Sequence, residues 1–180
     1  MSGVQFPPGY RLELLRRDHP RKEFTSGEKK VDDWLATKAL QNTEKHLSST
    51  HVLLDETGAI AGFFSLATGQ VDFNDLPDEA RKRLPHRLLP VAVLAWMGVS
   101  TNHQGQGHGR RLLAQAFHDC RDASRVFPFI AVVLDAVSDA LLRFYQHWGF
   151  QALPSDPNRL FLRFEKIDEM LSSQLPQDEK

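Results

Sequence analysis

Apolar residues in the first half of the chain follow spacings typical of strands and of one helix. Polar and apolar residues alternate over 10–15, which predicts a strand. Apolar residues recur every three or four positions over about 31–45, which predicts an amphipathic helix. The apolar runs His51–Leu54 and Ile60–Ala67 are joined by a polar turn that contains Gly58, a pattern typical of a β-hairpin.

The second half has a more regular alternation of strands and helices. The run Val91–Val99 is continuously apolar, as expected of a strand that is buried on both faces. Gly149 follows a predicted helix and is placed to cap its C-terminus. Helices are predicted at about 78–84, 108–122 and 138–148, a strand at 129–134, and a closing hairpin at 150–153 and 160–164. The whole pattern predicts a mixed α/β (α+β) fold.

Composition and charge narrow the class of protein. The 180 residues suffice for one domain, which we place at 1–166, followed by an acidic and weakly ordered tail at 167–180. Residues 165–180 hold five acids and two lysines, so the rest of the chain has 20 basic and 18 acidic residues, a net charge of +2. A protein whose whole surface is built for nucleic acid is expected to be far more basic.

The single cysteine and the short apolar runs bear on the compartment. One cysteine excludes an internal disulfide scaffold and favours a reducing environment. The longest apolar runs are far shorter than the ~20 residues of a membrane helix. The first residues contain no apolar stretch of signal-peptide length. We therefore expect a cytoplasmic protein with no membrane partner.

The segment 104–111, Gln-Gly-Gln-Gly-His-Gly-Arg-Arg, lies between a predicted buried strand and a predicted helix. Glycines let the backbone approach a ligand closely, and the free amides at a helix start attract anions. Arg110 and Arg111 lie at the start of the helix, where their charges interact unfavourably with the helix dipole. A bound polyphosphate would make their presence there favourable. The spacing fits neither the P-loop nor the dinucleotide-binding motif. The segment predicts a phosphate or pyrophosphate site of another kind, with a plain glycine-rich connection as the alternative.

Two ordered motifs resemble the GNAT superfamily of acetyl-CoA-dependent N-acetyltransferases. Gln104, Gly107 and Gly109 fit its Gln/Arg-x-x-Gly-x-Gly/Ala motif, and 140–150 is similar to its Phe-Tyr-x-x-x-Gly-Phe signature. The resemblance implies a splayed, mixed and mostly antiparallel sheet of six or seven strands, flanked by about four helices. It also implies acetyl-CoA as the co-substrate.

The same resemblance implies roles for particular residues. Tyr145 would face the thioester sulfur with Phe144 beside it, and Ser138 stands where many relatives have an asparagine that contacts pantetheine. Backbone groups of the strand end would bind the pantetheine arm, and those of the glycine-rich loop would bind the pyrophosphate. These residues are Met97, Gly98 and Val99 in the strand, and Gln104, Gly105, Gln106, Gly107, His108, Gly109 and Arg110 in the loop.

The implied reaction is the direct attack of a neutral amine on the thioester. Backbone amides near Val99 would stabilise the oxyanion, and Tyr145 would hydrogen-bond the departing sulfur. With a thiol pKa of ~8.5 and a tyrosine pKa of ~10, complete proton transfer is uphill by ~2 kcal/mol. We therefore expect a strong hydrogen bond to the sulfur and not complete protonation.

No general base stands out in the sequence, and no metal site is expected. Most candidates are expected to be solvated surface groups, with a water relay as the alternative base: His51, His86, His103, His108, Asp72 and Asp75. His118 and Cys120 are two residues apart on a predicted helix, so they point to different faces and form no dyad. The eight histidines lack the spacing of zinc ligands.

The first half is similar to the branch of this superfamily that contains toxins acetylating aminoacyl-tRNA. Segments 24–42, 61–66 and 83–91 carry this likeness. Ser26 replaces the cysteine usual in that opening, and Trp96 stands where many of those toxins have an arginine. The basic cluster Arg81, Lys82, Arg83 and Arg87 is either a phosphate-binding patch or a solvated helix face.

Three functions follow as hypotheses. The first is an N-acetyltransferase that passes an acetyl group directly to an unidentified acceptor amine. The alternative is the toxin of a toxin–antitoxin pair acetylating the amino group of aminoacyl-tRNA, whose partners would be tRNA, an antitoxin and a second copy in a homodimer. A third is a non-catalytic acyl-CoA-binding module, which the intact Phe144-Tyr145 element disfavours.

Overall fold

A computed structural model describes residues 3–173. The strands are β1 (Arg11–Leu14), β2 (Ser49–Leu54), β3 (Ile60–Asp72), β4 (Leu88–Val99), β5 (Ala131–Asp135), β6 (Gln151–Leu153) and β7 (Asp156–Arg163). The α-helices are α1 (Lys29–Thr37), α2 (Ala39–Glu44), α3 (Asp78–Arg81), α4 (His108–Ser124), α5 (Asp139–His147) and α6 (Phe164–Ser172). In this described part, no helix combines the length and the apolar character needed to cross a membrane.

The seven strands form one sheet in the order β1-β2-β3-β4-β5-β7-β6. The pairs β1–β2, β2–β3, β5–β7 and β6–β7 are antiparallel, and β4–β5 is parallel through Ala92–Val132 and Val93–Val133. The predicted mixed α/β fold with a mostly antiparallel sheet is therefore confirmed. The described residues form six α-helices where about four were expected, because one predicted helix is divided into α1 and α2 and α6 is an additional short helix.

The chain folds as two units, each with its own apolar core. Unit 1 comprises the residues up to Ala67 together with Leu94–His118. Its core packs the buried faces of α1 and α2 against β2 and β3, and it is made of apolar side chains: Leu15, Phe24, Val31, Leu35, Ala39, Val52, Leu54, Ile60 and Phe63. The glycine-rich loop and the end of β4 belong to this unit.

Unit 2 comprises Thr68–Val93 and the residues from Asp119 onward. Its core is formed by Val71, Phe73, Leu76, Ala80, Leu89, Val91, Ala131, Val133, Leu153 and Phe161. Helix α6 runs across position 167, where weak order was expected to begin, and Ile167 is fully buried. That expectation is wrong for 167–172, because one apolar face of this polar segment packs inward. The tail residues 174–180 lie outside the described residues.

Several predicted elements differ in their bounds, among them the first helix and the closing hairpin. The helix expected at about 31–45 is divided at Lys38 into α1 and α2. Val31, Leu35 and Ala39 stay buried on one face across the break, so the apolar spacing could not reveal it. The closing hairpin has a shorter turn than expected, because β7 begins at Asp156.

Candidate functional site

The glycine-rich loop after β4 is tied to its surroundings by the side chain of Gln104. Its Nε2 donates hydrogen bonds to the carbonyl oxygens of Val99, at 2.9 Å, and of Ser26, at 2.8 Å. The Gln104 side chain thus joins the strand end to the segment before α1. Ser26 is itself fixed, since its Oγ donates to Asp32 Oδ1 at 2.6 Å. A glutamine at the first motif position therefore acts as a brace for the loop.

Two glycines give the loop its conformation. Gly105 has φ 74° and Gly107 has φ 79°, values that side chains disfavour. A Cβ on Gly107 would also lie 2.9 Å from Arg111 Nη1. That guanidinium donates to the carbonyl oxygen of Gln106 at 2.8 Å, so Arg111 stabilises the loop from within. This contact inside the chain competes with the expected pairing of Arg111 with a phosphate.

His108, the first residue of α4, is only 1% exposed. The expectation that it is a solvated surface group is wrong, because the ring of Tyr10 covers it at a centroid distance of 4.4 Å. Neither ring nitrogen has a hydrogen-bond partner among the residues described. Burial, with smaller contributions from Arg111 and His103, lowers the pKa of His108. The imidazole therefore stays neutral at the base of the loop.

His103 lies against Asp55, a contact that the sequence did not reveal. Its Nε2 lies 3.3 Å from Asp55 Oδ2 in the β2–β3 hairpin, and both side chains are mostly buried. Burial would raise the pKa of Asp55, but hydrogen bonds from Thr57 and Ala59 and the charge of His103 outweigh it and lower that pKa. Asp55 thus orients the His103 ring through Nε2, while Nδ1 is buried with no hydrogen-bond partner among the described residues.

The other candidate bases divide by their exposure. His86 and Asp72 are exposed, as predicted for solvated groups. His51 is half-buried and stacks on Phe64 at a centroid distance of 5.1 Å. Asp75 is also half-buried. The expectation of solvated surface groups is therefore met fully by His86 and Asp72 and only in part by His51 and Asp75.

Side chains of unit 1 pack closely against the end of β4. Met97 is buried and Gly98 and Val99 are partly buried. A Cβ on Gly98 would lie 2.9 Å from Val31 Cγ1 and 3.3 Å from Phe63 Cε1, so only glycine fits there without displacing the core. The strand end predicted to bind pantetheine is therefore held against α1 and β3.

Three aromatic rings stack in unit 1 beside this strand end. Trp34 of α1 lies between Trp96 and Phe63, with centroid distances of 5.2 and 6.1 Å and interplanar angles of 16° and 13°. Trp96 stands where many toxins of the branch that this chain resembles have arginine. Its ring is held in place by stacking on Trp34. Its partner Trp34 arrives from 62 positions earlier in the chain, a contact that no local motif signals.

The second motif lies in unit 2, on α5. Ser138 is the N-cap of this helix, and its Oγ accepts a hydrogen bond from the Leu141 amide at 3.3 Å. Tyr145 is 5% exposed and meets Phe144 and Phe150 edge-on at 5.2 and 5.6 Å. Burial raises the pKa of the Tyr145 phenol, so this side chain is a neutral hydrogen-bond donor.

Cys120 is the single cysteine of the chain, and its side chain is buried. Burial raises the pKa of the Cys120 thiol to about 12, so it is a core side chain and not a nucleophile. Among residues 3–173, no three histidine, cysteine or acidic side chains are grouped so that they could hold a metal ion.

Comparison with known proteins follows the same direction as the two motifs. Residues 47–152 match the Acetyltransferase (GNAT) domain family. A tRNA-acetylating toxin of Mycobacterium tuberculosis is 34% identical over 139 residues, which cover 77% of this chain and 82% of that protein.

Two solved structures show the same fold. The toxin AtaT complexed with acetyl-methionyl-tRNAfMet superposes with a TM-score of 0.82 at 22% identity, covering 90% of this chain and 99% of that chain. A tyrosine-to-phenylalanine mutant of AtaT, bound to the C-terminus of the antitoxin AtaR and acetyl-CoA, superposes with a TM-score of 0.77 at 20% identity. That superposition covers 91% of this chain and 99% of the other.

Proposed function

This chain belongs to the GNAT acetyltransferase domain family, and from that premise we propose that it is the toxin of a toxin–antitoxin pair that acetylates the amino group of aminoacyl-tRNA. As a family member it is an acyltransferase that uses acetyl-CoA as its acetyl donor. The observation that carries the finer proposal is the 34% identity to a tRNA-acetylating toxin across 77% of the chain. A charged tRNA and an antitoxin are then its partners.

The glycine-rich loop is proposed to hold the pyrophosphate of acetyl-CoA. Gly105 and Gly107 have the left-handed conformations that occur in anion-binding turns, where successive backbone amides converge on the ligand. The start of α4 adds a partial positive charge of about half a unit. The bonds from Gln104 fix the loop before ligand arrives, which reduces the ordering cost of binding.

The backbone from Met97 to Val99 is proposed to bind the pantetheine arm and to stabilise the oxyanion. Val31 and Phe63 pack closely against Gly98, so the backbone here is held in position while charge develops on the thioester oxygen. A fixed amide dipole of this kind stabilises a transition state without reorganising first.

Tyr145 is proposed to hydrogen-bond the departing sulfur. Its raised pKa widens the gap to a thiol of pKa ~8.5, so complete proton transfer is less favourable than for a solvated tyrosine. A neutral phenol that donates a hydrogen bond in the transition state stabilises the thiolate without losing its proton.

The identity of the acceptor agrees with the scarcity of bases. An α-amino group has a pKa near ~8 and is partly neutral at physiological pH, whereas a lysine amine with a pKa of ~10.4 needs a base. The amino group of aminoacyl-tRNA is of the first kind. His103 is not placed to act as such a base, because its Nε2 faces Asp55 and its Nδ1 is buried.

The decisive experiment supplies the purified chain with acetyl-CoA and measures thiol release. The acceptors are charged tRNA, deacylated tRNA, free amino acids and a lysine peptide. We expect turnover with charged tRNA alone, growth arrest on induced expression, and relief of that arrest by a small protein encoded next to this chain. Equal turnover of free amines would contradict the toxin assignment while leaving the acetyltransferase intact.

The Tyr145→Phe variant tests the chemistry separately. We expect kcat to fall by ~10²-fold or more with little change in the affinity for acetyl-CoA, because the lost hydrogen bond forms only in the transition state. Tyr10→Phe is the matched control, since Tyr10 is the only other tyrosine of the chain. Full turnover by Tyr145→Phe would remove this residue from the mechanism.

A further inference from the structure

A cavity of about 390 Å³ lies in unit 2, and none of the residues that line it is assigned above to acetyl transfer. Its lining is mostly apolar and also holds three cationic side chains and one carboxylate, that of Glu165. The lining includes Lys82, Arg83, Leu84, Phe129, Arg163 and Phe164. This volume falls at the lower end of the range of small-molecule sites, roughly 300–1,000 Å³.

The cationic charges of this lining are only partly neutralised within the chain. Lys82 Nζ pairs with Glu79 at 2.9 Å, and Arg163 Nε lies 3.5 Å from Glu165 Oε2. The Arg83 guanidinium has neither an ion pair nor a hydrogen bond with any residue of 3–173, and Arg83 is exposed. An unpaired guanidinium at the mouth of a cavity is suited to bidentate binding of a phosphate.

The backbone at Arg83 is held in an unusual conformation. Its φ is 67°, in the left-handed region that non-glycine residues seldom adopt. Leu84, its neighbour, is partly buried against the unit 2 core, which fixes the direction of the chain at this point. The strain is of the kind that accompanies positioned functional side chains.

Two phenylalanines supply the flat surface that a base requires. Phe129 and Phe164 meet at right angles with a centroid distance of 5.5 Å, and both are partly exposed. Phenyl faces next to arginine or lysine are the common surface for stacking a nucleobase beside its phosphate.

We propose that this cavity binds a nucleotide, with its phosphate on Arg83 and Lys82 and its base against Phe129 and Phe164. The nucleotide is either a free mononucleotide or one unit of an RNA chain. An acidic peptide would satisfy the cations but would leave the paired phenylalanine faces without a matching flat group.

No residue of α5 lines the cavity, and Tyr145 is therefore not among its lining residues. The cavity lies where Ala131 of β5 pairs with Arg163 of β7, whereas α5 follows the other end of β5 at Asp135. The nucleotide is therefore a second ligand, and its binding goes beyond the proposed acetyl transfer.

The test is calorimetric titration of the full chain with AMP and GMP in saturating coenzyme A, which occupies the glycine-rich loop. Arg83→Asn removes the charge and tolerates the positive φ, and Arg125→Asn is its matched control on an exposed arginine outside the cavity. Phe129→Leu removes the ring, and Phe127→Leu is its control because Phe127 is 74% exposed. We expect Arg83→Asn and Phe129→Leu each to weaken binding by about tenfold, and the two controls by less than twofold.

A second arm identifies the source of the nucleotide. Deacylated tRNA is titrated over a range of salt. If RNA supplies the nucleotide, tRNA competes with AMP, and Arg83→Asn lowers the salt slope by about one. If the ligand is a free mononucleotide, AMP binding keeps its dependence on Arg83 and tRNA does not compete.

Three results would overturn the proposal. They are no AMP or GMP binding in the presence of coenzyme A, binding that ignores both Arg83 and Phe129, and Arg83-dependent binding of a glutamate-rich peptide without nucleotide binding. None of these measurements uses acetylation, so the acetyltransferase assays succeed or fail independently. Unchanged melting temperatures of the variants exclude unfolding as the cause.

Discussion

Replacing His108 by leucine perturbs the base of the glycine-rich loop with a predictable sign. His108 is 1% exposed, and neither of its ring nitrogens has a partner within the described chain. A buried polar group left without a partner costs about 1–3 kcal/mol. Leucine removes both nitrogens and nearly fills the same space.

Two losses offset this gain. The His108 ring contacts Tyr10 at 4.4 Å, and an aromatic pair contributes about 1 kcal/mol beyond its buried area. A change of shape in a packed core costs up to about 1.5 kcal/mol. The ring buries one donor and one acceptor that are unpaired within the described chain, so the cost that leucine removes is about 2–6 kcal/mol, against losses of about 1–2.5 kcal/mol. At mid-range values the expected net effect of His108→Leu is a stabilisation of about 2 kcal/mol at pH 7.5, or several degrees in Tm at roughly 2–4 °C per kcal/mol for a chain of this size.

The pH dependence gives a second readout. Burial lowers the pKa of His108 in the folded state, so the unfolded chain binds the proton more readily. Above the unfolded pKa of about 6.5 both states carry a neutral ring, and the folded protein keeps its full stability. As the pH falls below that value, the unfolded chain binds a proton that the folded protein does not, and the free energy of unfolding decreases. The variant escapes this loss, and the difference in stability between the two proteins should widen from pH 7.5 to pH 5.5.

Urea unfolding of both proteins at the two pH values measures these differences. His147→Leu, at an exposed histidine of α5, is the control for loss of a histidine. A His108→Leu protein less stable than the parent by about 1 kcal/mol or more at pH 7.5 would contradict the expected stabilisation. A difference in stability that is the same at both pH values would contradict the expected pH dependence.

Three further outcomes follow from the site. Gln104→Leu should raise the KM for acetyl-CoA by about tenfold with little effect on kcat, because two hydrogen bonds that brace the loop are lost. The control Gln41→Leu, at an exposed site, should change neither constant. An unchanged KM in Gln104→Leu would show that Gln104 does not brace the loop. Cys120, with a pKa of about 12, should resist a thiol reagent in the folded chain and react in denaturant, and rapid labelling of native protein would show that the thiol is accessible. Ser138→Ala should lower stability by about 1 kcal/mol in thermal unfolding, and Ser138→Asn should restore it if the hydroxyl serves as a helix cap.

The fold was largely predictable because its elements are encoded by local spacing. The alternation in β1, the apolar runs of β2 to β5 and the amphipathic faces of α4 and α5 follow directly from neighbours along the chain. The break at Lys38 was missed because the apolar spacing continues across it. The order of α6 was missed because one buried residue, Ile167, anchors a segment whose composition is polar.

The two family motifs are visible in the sequence for the same reason, whereas the contacts that support them are not. The residues Gln104 to Arg110 form a continuous motif, so residue types alone indicate a phosphate loop. The bond from Gln104 to Ser26 joins residues 78 positions apart, and the His103–Asp55 pair joins two distant turns. Neither contact leaves a local pattern in the sequence.

The sequence by itself determined the elements, the family and the two motifs, since each depends on residue types at short, fixed separations. Only the tertiary structure decided that His108 is buried and uncharged, that Arg111 stabilises its own loop, and that Arg83 and Phe129 border one cavity. Burial and electrostatic environment are properties of what folding brings around a residue. They are set by distant segments, and so they cannot be deduced from the residue's own neighbours in the chain.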